Sequence, residues 1–167
     1  MQAWSTFYAT IGAASATLLG LLFVAVSVNA AAALGSGDRL TTGMTEQAFQ
    51  NYMAVMLVAL LALFPDVPPT IFGVVILTSL LGRGAWLAIR LHQIIKFDAP
   101  RPLTLRAARR HLTSVLGFVL LLIAAASMAR GRTNEYNLLA AATLVLLFSA
   151  TTVSWELLRR IANRDAR

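Results

Sequence analysis

The chain has 167 residues, 58% hydrophobic and 13% charged, with a mean hydropathy of +0.72; soluble domains carry roughly one-quarter charged residues, so this composition indicates a membrane protein. The absence of cysteine excludes disulfides, thiolate catalysis and cysteine-ligated metal centres. The net charge of +7 would favour nucleic acid in a soluble protein, but here the cations lie beside apolar segments, so we expect no nucleic acid partner.

The first two apolar segments predict two transmembrane helices. The first, at about residues 4–33, contains no charged residue. It lacks the basic leading region of a signal peptide and exceeds the roughly 20 apolar residues that cross a bilayer, so we predict a retained helix. A Gly/Ser/Thr connector leads to the second span at about residues 46–64, for which Gly43 and Thr45 are candidate caps. The Pro-rich segment 65–69 ends this helix and predicts an antiparallel hairpin with the next.

The third predicted span, about residues 69–94, contains Arg83 between two glycines. At about 1.5 Å per residue, Arg83 lies roughly 20 Å from the uncharged end of the segment, deep in a hydrocarbon layer about 30 Å thick. One interpretation is a snorkelling arginine with a salt bridge to Glu156 that clamps the bundle. The other is a charged lining of a cytoplasmic vestibule or anion path. Further candidate neighbours are Glu46, Gln50, Asn51 and Asn29.

The last two predicted spans, at about residues 108–129 and 135–160, follow a basic stretch at residues 96–111. That stretch carries five Lys or Arg residues, and the tail after Leu158 carries four. The positive-inside rule therefore places both in the cytoplasm. The basic stretch is interpreted as a topology determinant, with anionic lipid headgroups as the alternative ligand. Its cations are Lys96, Arg101, Arg106, Arg109 and Arg110.

Counting spans back from the basic stretch gives the complete topology. We predict an all-α, polytopic membrane protein, a single domain over residues 1–167 with five transmembrane helices, its N-terminus outside and its C-terminus inside. This topology places Arg130 and Arg132 outside, against the positive-inside rule. They are outnumbered by the nine cations on the cytoplasmic side, so the predicted topology stands.

The first predicted helix has two unlike faces at about 100° per residue. Small and hydroxyl side chains occupy one face, namely Thr6, Thr10, Gly12, Ala16, Thr17 and Gly20. The opposite face carries Phe7, Ile11, Leu18 and Leu22. Small residues let helices approach closely in lipid, so we favour helix packing through Gly12, Ala16 and Gly20, within the chain or between copies. The alternative is a water or ion path lined by Thr6, Thr10 and Thr17.

Nothing in the sequence predicts catalysis. Paired carboxylates, nucleophile elbows, zinc-protease motifs and phosphate-binding loops are all missing. His92 and His111 have arginines close by in the sequence, and we interpret them as interface residues rather than metal or haem ligands. We therefore predict no enzyme activity, no catalytic residue, no metal and no cofactor.

Four segments resemble a known group of proteins: FYATIGAASATLLGLLFVAVSVN at residues 7–29, then EQAF, FPDVPP and GRGAW. The group comprises uncharacterised, largely actinobacterial, small integral membrane proteins, and the likeness covers about residues 1–90. It implies a bacterial cytoplasmic membrane and carries over no site residue. Members are sometimes labelled modulators of a membrane AAA protease. Here the first connector is rich in Ala and Gly, where relatives have a longer apolar and basic segment.

Taken together, these features favour a homo-oligomeric channel or pore-like conduit for a small ion, because five short spans barely enclose a polar interior alone. The alternative is an accessory subunit or modulator of another membrane complex, such as a membrane protease. The expected partners are the lipid bilayer and further copies of the chain, with anionic lipid headgroups as a further candidate.

Overall fold

The computed structural model describes residues 2–29, 39–65, 67–82, 105–132 and 135–165. Throughout these ranges the regular structure is α-helical, without a strand. The helices are α1 (Gln2–Val28), α2 (Arg39–Leu63), α3 (Pro69–Gly82), α4 (Leu105–Ala129) and α5 (Tyr136–Asp165). The all-α prediction is thus confirmed for the described part of the chain.

Four of the helices are long and apolar enough to cross a membrane, which makes this a multi-pass membrane protein. The candidate spans are Trp4–Val28, Thr41–Leu63, Leu112–Ala129 and Tyr136–Ala162. The remaining helix, α3, is shorter and covers only the first part of the predicted third span. The rest of that span lies outside the described residues.

Two helices extend beyond their predicted ends. α2 begins at Arg39 instead of near residue 46. Gly43 is therefore an interior helical residue and not a cap. α5 continues past residue 160 to Asp165. The side chains of Leu157 and Ile161 are buried, so the helix still packs against its neighbours near this end. In the turn after α4, Gly131 adopts a φ of 84°, a backbone conformation that favours glycine.

The long helices pack in the order α1, α2, α5, α4, so that α1 lies at one edge. α2 runs antiparallel to α1 and α5, and α4 runs antiparallel to α5; α2 and α4 are therefore parallel. The first core layer joins the N-terminal halves of α1 and α5 to the C-terminal halves of α2 and α4 and to α3. Its larger buried members are Tyr8, Ile11, Val55, Val58, Phe72, Ile76, Leu121, Met128, Leu139 and Leu146.

The second core layer lies at the opposite end of the bundle, where α5 ends. It consists of Leu22, Met44, Ala48, Tyr52, Ala150, Val153, Leu157 and Ile161. The first layer draws on all five described helices, whereas this one draws on α1, α2 and α5. The two layers are separated by a band of polar side chains near the middle of α2 and α5.

Glycines set the closest helix approaches. A Cβ on Gly73 of α3 would lie 2.6 Å from the carbonyl oxygen of Ala125, and closer still to the amide nitrogen of Ala129, both on α4. A Cβ on Gly117 of α4 would lie 2.7 Å from the Leu146 side chain of α5. Helix association in lipid depends on such close van der Waals packing, because lipid tails are as apolar as the side chains.

Gly73→Ala should destabilise the protein by about 1–3 kcal/mol, because the added methyl group meets backbone atoms of α4 that cannot rotate away. Gly20→Ala is the matched control, since nothing lies within 4 Å of a Cβ at that position. Both substitutions replace glycine by alanine inside a helix and so gain the same helix propensity. The difference in stability between the two variants therefore measures the contact of position 73 with α4. Thermal unfolding in detergent measures it, and equal stability of the two variants would contradict the close approach of α3 to α4.

Candidate functional site

A cluster of four polar side chains lies between the two core layers. The Asn51 carboxamide is its centre: Oδ1 accepts a hydrogen bond from Ser114 Oγ at 3.0 Å, and Nδ2 donates to Ser149 Oγ at 3.3 Å. Thr113 Oγ1 donates to the same Ser149 oxygen at 3.3 Å. We call Asn51, Thr113, Ser114 and Ser149 the polar cluster; it joins α2, α4 and α5 through side chains alone.

The apolar surroundings of the polar cluster follow from helical spacing. Asn51 lies between Ala48 and Val55, which are both 0% exposed on α2. Ser149 likewise lies between Leu146 and Val153 on α5, again at 0% exposure. Side chains three and four residues apart share a helix face, so each polar group is flanked along its own helix by core residues.

Burial makes the hydrogen bonds of the polar cluster necessary. Asn51, Ser114 and Ser149 are 1%, 7% and 0% exposed, and an unpaired buried polar group costs about 1–3 kcal/mol. Hydrogen bonds between membrane helices contribute about 0.6 kcal/mol on average. A carboxamide carries donors and an acceptor together, so one side chain can bond to two hydroxyls on different helices. The arrangement orients helices and offers neutral oxygens, but it contains no acid or base.

Tyr52 provides a second polar link beside the cluster. Its backbone carbonyl accepts a 2.7 Å hydrogen bond from the buried Ser15 hydroxyl of α1. Its phenol oxygen lies 3.4 Å from the hydroxyls of Thr151 and Ser154 on α5. Through this residue α2 is tied to both of its neighbours in the helix row.

The other end of the bundle carries aromatic residues, as expected for a membrane interface. Trp4 and Phe7 stack edge to face at 5.6 Å, and Phe7 and Tyr8 do so at 5.1 Å. Tyr8 donates a 3.2 Å hydrogen bond to the backbone carbonyl of Tyr136, which joins the start of α1 to the start of α5. This contact fixes the two helix ends at one level.

The predicted hydroxyl residues of α1 lie on the outside of the described bundle. Thr6, Thr10 and Thr17 are all exposed. Thr10 donates to the Thr6 carbonyl at 2.8 Å, and Thr17 donates to the Ala13 carbonyl at 2.9 Å. Within one chain they therefore line no interior path.

The predicted packing face of α1 is used only in part within one chain. Gly12 does contact α2, since a Cβ there would lie 3.0 Å from Ala59. Ala16 and Gly20 are exposed in one chain, so for these two residues the predicted helix packing stays a prediction of contact between copies. The buried face instead carries Tyr8, Ile11, Ser15 and Leu22. Bulky side chains and the hydrogen-bonded Ser15 fill the space between α1 and its neighbours, whereas Ala16 and Gly20 face outward.

Glu156 has an ionic partner on its own helix. Its Oε1 lies 3.3 Å from an Arg160 guanidinium nitrogen, one turn away, and the two side chains are 37% and 41% exposed respectively. A pair of this kind contributes about 0.3–0.5 kcal/mol. Arg83, Lys96 and Arg101 lie outside the described residues, so the pairing of Arg83 with Glu156 stays a prediction.

Three of the predicted headgroup-binding cations belong to a described helix. Arg106, Arg109 and Arg110 occupy the first turns of α4, although their side chains are outside what the structure describes. The basic stretch to which they belong was interpreted as a topology determinant, with anionic lipid headgroups as the alternative ligand. Which ligand they bind stays a prediction.

Neither a metal site among the described residues nor a related protein points to a function. In the described ranges no group of three or more His, Asp or Glu side chains is placed to hold a metal ion. No protein-family model, no curated protein and no solved structure matches this chain. The function is therefore inferred from the geometry of the chain itself.

Asn51→Ala should destabilise the protein by about 1–3 kcal/mol, because it removes two hydrogen bonds and leaves the hydroxyls of Ser114 and Ser149 with fewer partners. Thr78→Ala is the control: that hydroxyl is exposed and bonds only to carbonyls of its own helix. A double-mutant cycle with Ser114→Ala isolates the coupling across α2 and α4. Additive losses would mean that the 3.0 Å hydrogen bond contributes nothing.

Proposed function

We propose that the chain is a homo-oligomeric membrane protein in which the outward face of α1 lines a conduit for a small ion between copies. The observation that carries the proposal is the position of Thr6, Thr10 and Thr17 on the exposed side of the edge helix. The described interior of one chain is closed by the apolar first core layer, in which Val55 and Leu146 are fully buried. A path for ions is therefore better supplied by several chains than by one.

Hydroxyl chemistry supports such a lining. The hydroxyls of Thr10 and Thr17 each donate to a carbonyl of the preceding turn, and each oxygen keeps lone pairs that can accept from water or contact a cation. Rings of neutral oxygens can replace part of the hydration shell of a cation. The small neighbours Ala16 and Gly20 allow a second backbone to approach this face.

The helix directions support five spans with the N-terminus outside and the C-terminus inside. α2 and α4 are parallel, so the chain leaves α2 at one end of the bundle and enters α4 at the other. One crossing between them satisfies this geometry, and α3 is the apolar helix available for it. The basic start of α4 then assigns the cytoplasmic side. The sequence resemblance favours the cytoplasmic membrane of a bacterium.

An accessory subunit is the second candidate, and one observation favours it. The hydroxyls of Thr10 and Thr17 already have a partner within their own helix, so neither requires water or an ion. The C-terminal half of α1 exposes Leu21, Phe23, Val24 and Val28. Such a surface suits lipid or the apolar face of a partner helix equally well.

The topology predicts opposite locations for the turn after α4 and the C-terminus. The sequence has no native cysteine, so Arg132→Cys carries a single thiol on an exposed turn residue. A membrane-impermeant thiol reagent should label it in intact cells, whereas a C-terminal fluorescent reporter should mature in the cytoplasm. Finding both on the same side would contradict the proposed order of crossings.

Purified protein in liposomes should conduct a small ion, and Thr10→Val should lower the flux several-fold while preserving side-chain shape and oligomer size. Thr78→Val is the matched control, because Thr78 is an equally exposed helical hydroxyl on α3. Native mass in mild detergent reports the assembly. A monomer without flux would refute the conduit and leave the accessory role, which predicts co-purification with a partner.

A further inference from the structure

Gln47 carries a buried polar group that the described residues do not satisfy. Its Oε1 and Nε2 atoms are both buried, and neither has a hydrogen-bond partner among the described residues. Gln47 lies one turn before Asn51, on the same face of α2. The carboxamide is therefore directed toward the side of the helix that holds the polar cluster.

The chemistry of the carboxamide identifies the class of ligand. A cation would satisfy only Oε1, and an anion only the two hydrogens on Nε2. A water molecule donates and accepts, so it can serve both atoms. Buried waters typically make about three hydrogen bonds to polar groups that would otherwise be unpaired. Water is thus the simplest partner that removes the cost of burying this group.

The neighbouring helix continues the polar surface toward the end of the bundle. Asn51 meets Ser149, and α5 runs antiparallel to α2, so the residues after Ser149 run alongside Gln47. Glu156 and Arg160 lie further along that part of α5, and the Nε of Arg160 is likewise buried without a described partner. On the opposite side of Asn51, away from Gln47, the bundle interior is the apolar first core layer. Val55 and Leu146 are fully buried there.

We propose that this end of the bundle holds internal water, bound by the Gln47 carboxamide and continuous with the polar cluster. The water forms a blind vestibule that opens near the end of α5 and stops at Asn51, Ser114 and Ser149. Each single chain contains its own vestibule. The inference is therefore independent of the conduit proposed between copies, and it holds for a monomer as well.

Single-cysteine reactivity tests the proposal, because the natural chain has no cysteine. A thiol reacts as the thiolate, which forms only where water reaches it. Gln47→Cys should react with a small hydrophilic methanethiosulfonate several-fold faster than two controls. Ala48→Cys places a thiol at the same depth in the apolar second layer, and Leu57→Cys places one on the exposed apolar surface.

The pattern across the three variants decides the outcome. Fast reaction at Gln47→Cys alone supports a hydrated vestibule. Equally slow reaction at all three positions overturns it, because the interior would then be dry. Equally fast reaction at all three also overturns it, because water would then not be confined to the polar face of α2.

A measurement on the natural protein keeps the proposal testable if a variant does not fold. Met44 and Met128 are both 0% exposed, but Met44 lies one turn from Gln47 whereas Met128 lies in the first core layer. Hydroxyl radicals made from bound water by X-ray radiolysis convert nearby methionine to the sulfoxide. Met44 should be oxidised several-fold faster than Met128, and equal rates would overturn the inference.

Discussion

The hydrogen bonds of the Asn51 carboxamide are the constraint on which the arrangement of the long helices depends. In lipid there is little hydrophobic drive to bring helices together, so directional contacts decide which faces meet. One side chain bonds to Ser114 on α4 and to Ser149 on α5. With Asn51 fixed in this way, Ala48 and Val55 are turned into the core and Tyr52 toward α5. The rotation of α2 thus determines the membership of both core layers.

The edge position of α1 has consequences for the choice between functions. Its inner face is committed to α2 through Ile11, Ser15 and Leu22, and its outer face is left to the surroundings. Hydroxyl and small side chains make few stabilising contacts with lipid tails. They allow close van der Waals packing and hydrogen bonds with a second helix. The self-association proposed above would cover this face with a second copy of α1.

Membrane class and helix positions were predictable because they depend on local composition and length. The four long spans follow from hydropathy alone. The turn at Gly131 follows from the short polar segment between the last two apolar spans. The start of α2 was misplaced, because Gly43 and its polar neighbours resemble a cap although the helix runs through them. Helix faces were harder to predict, because in lipid small and bulky residues can each form the contact surface. Within the chain α1 uses the face with Ile11 and Leu22, whereas Ala16 and Gly20 are exposed.

The polar cluster was not predicted because its partners are far apart in the sequence. Ser114 and Ser149 lie 63 and 98 residues from Asn51, and isolated serines in apolar helices usually bond to their own backbone. Asn51 had been considered only as a neighbour for Arg83. The available signal was a carboxamide pair, Gln47 and Asn51, one turn apart on the apolar side of a helix.

The approach of α3 to α4 at Gly73 has a consequence for how backbone polarity is used inside the membrane. Where a side chain would begin on Gly73, the carbonyl oxygen of Ala125 is only 2.6 Å away, so a Cα hydrogen of the glycine points at that oxygen. Carbon-bound hydrogens form weak hydrogen bonds of about 0.5–1 kcal/mol in such geometry. A larger residue at position 73 would place its Cβ against the Ala125 carbonyl oxygen, so this main-chain approach of α3 to α4 requires glycine.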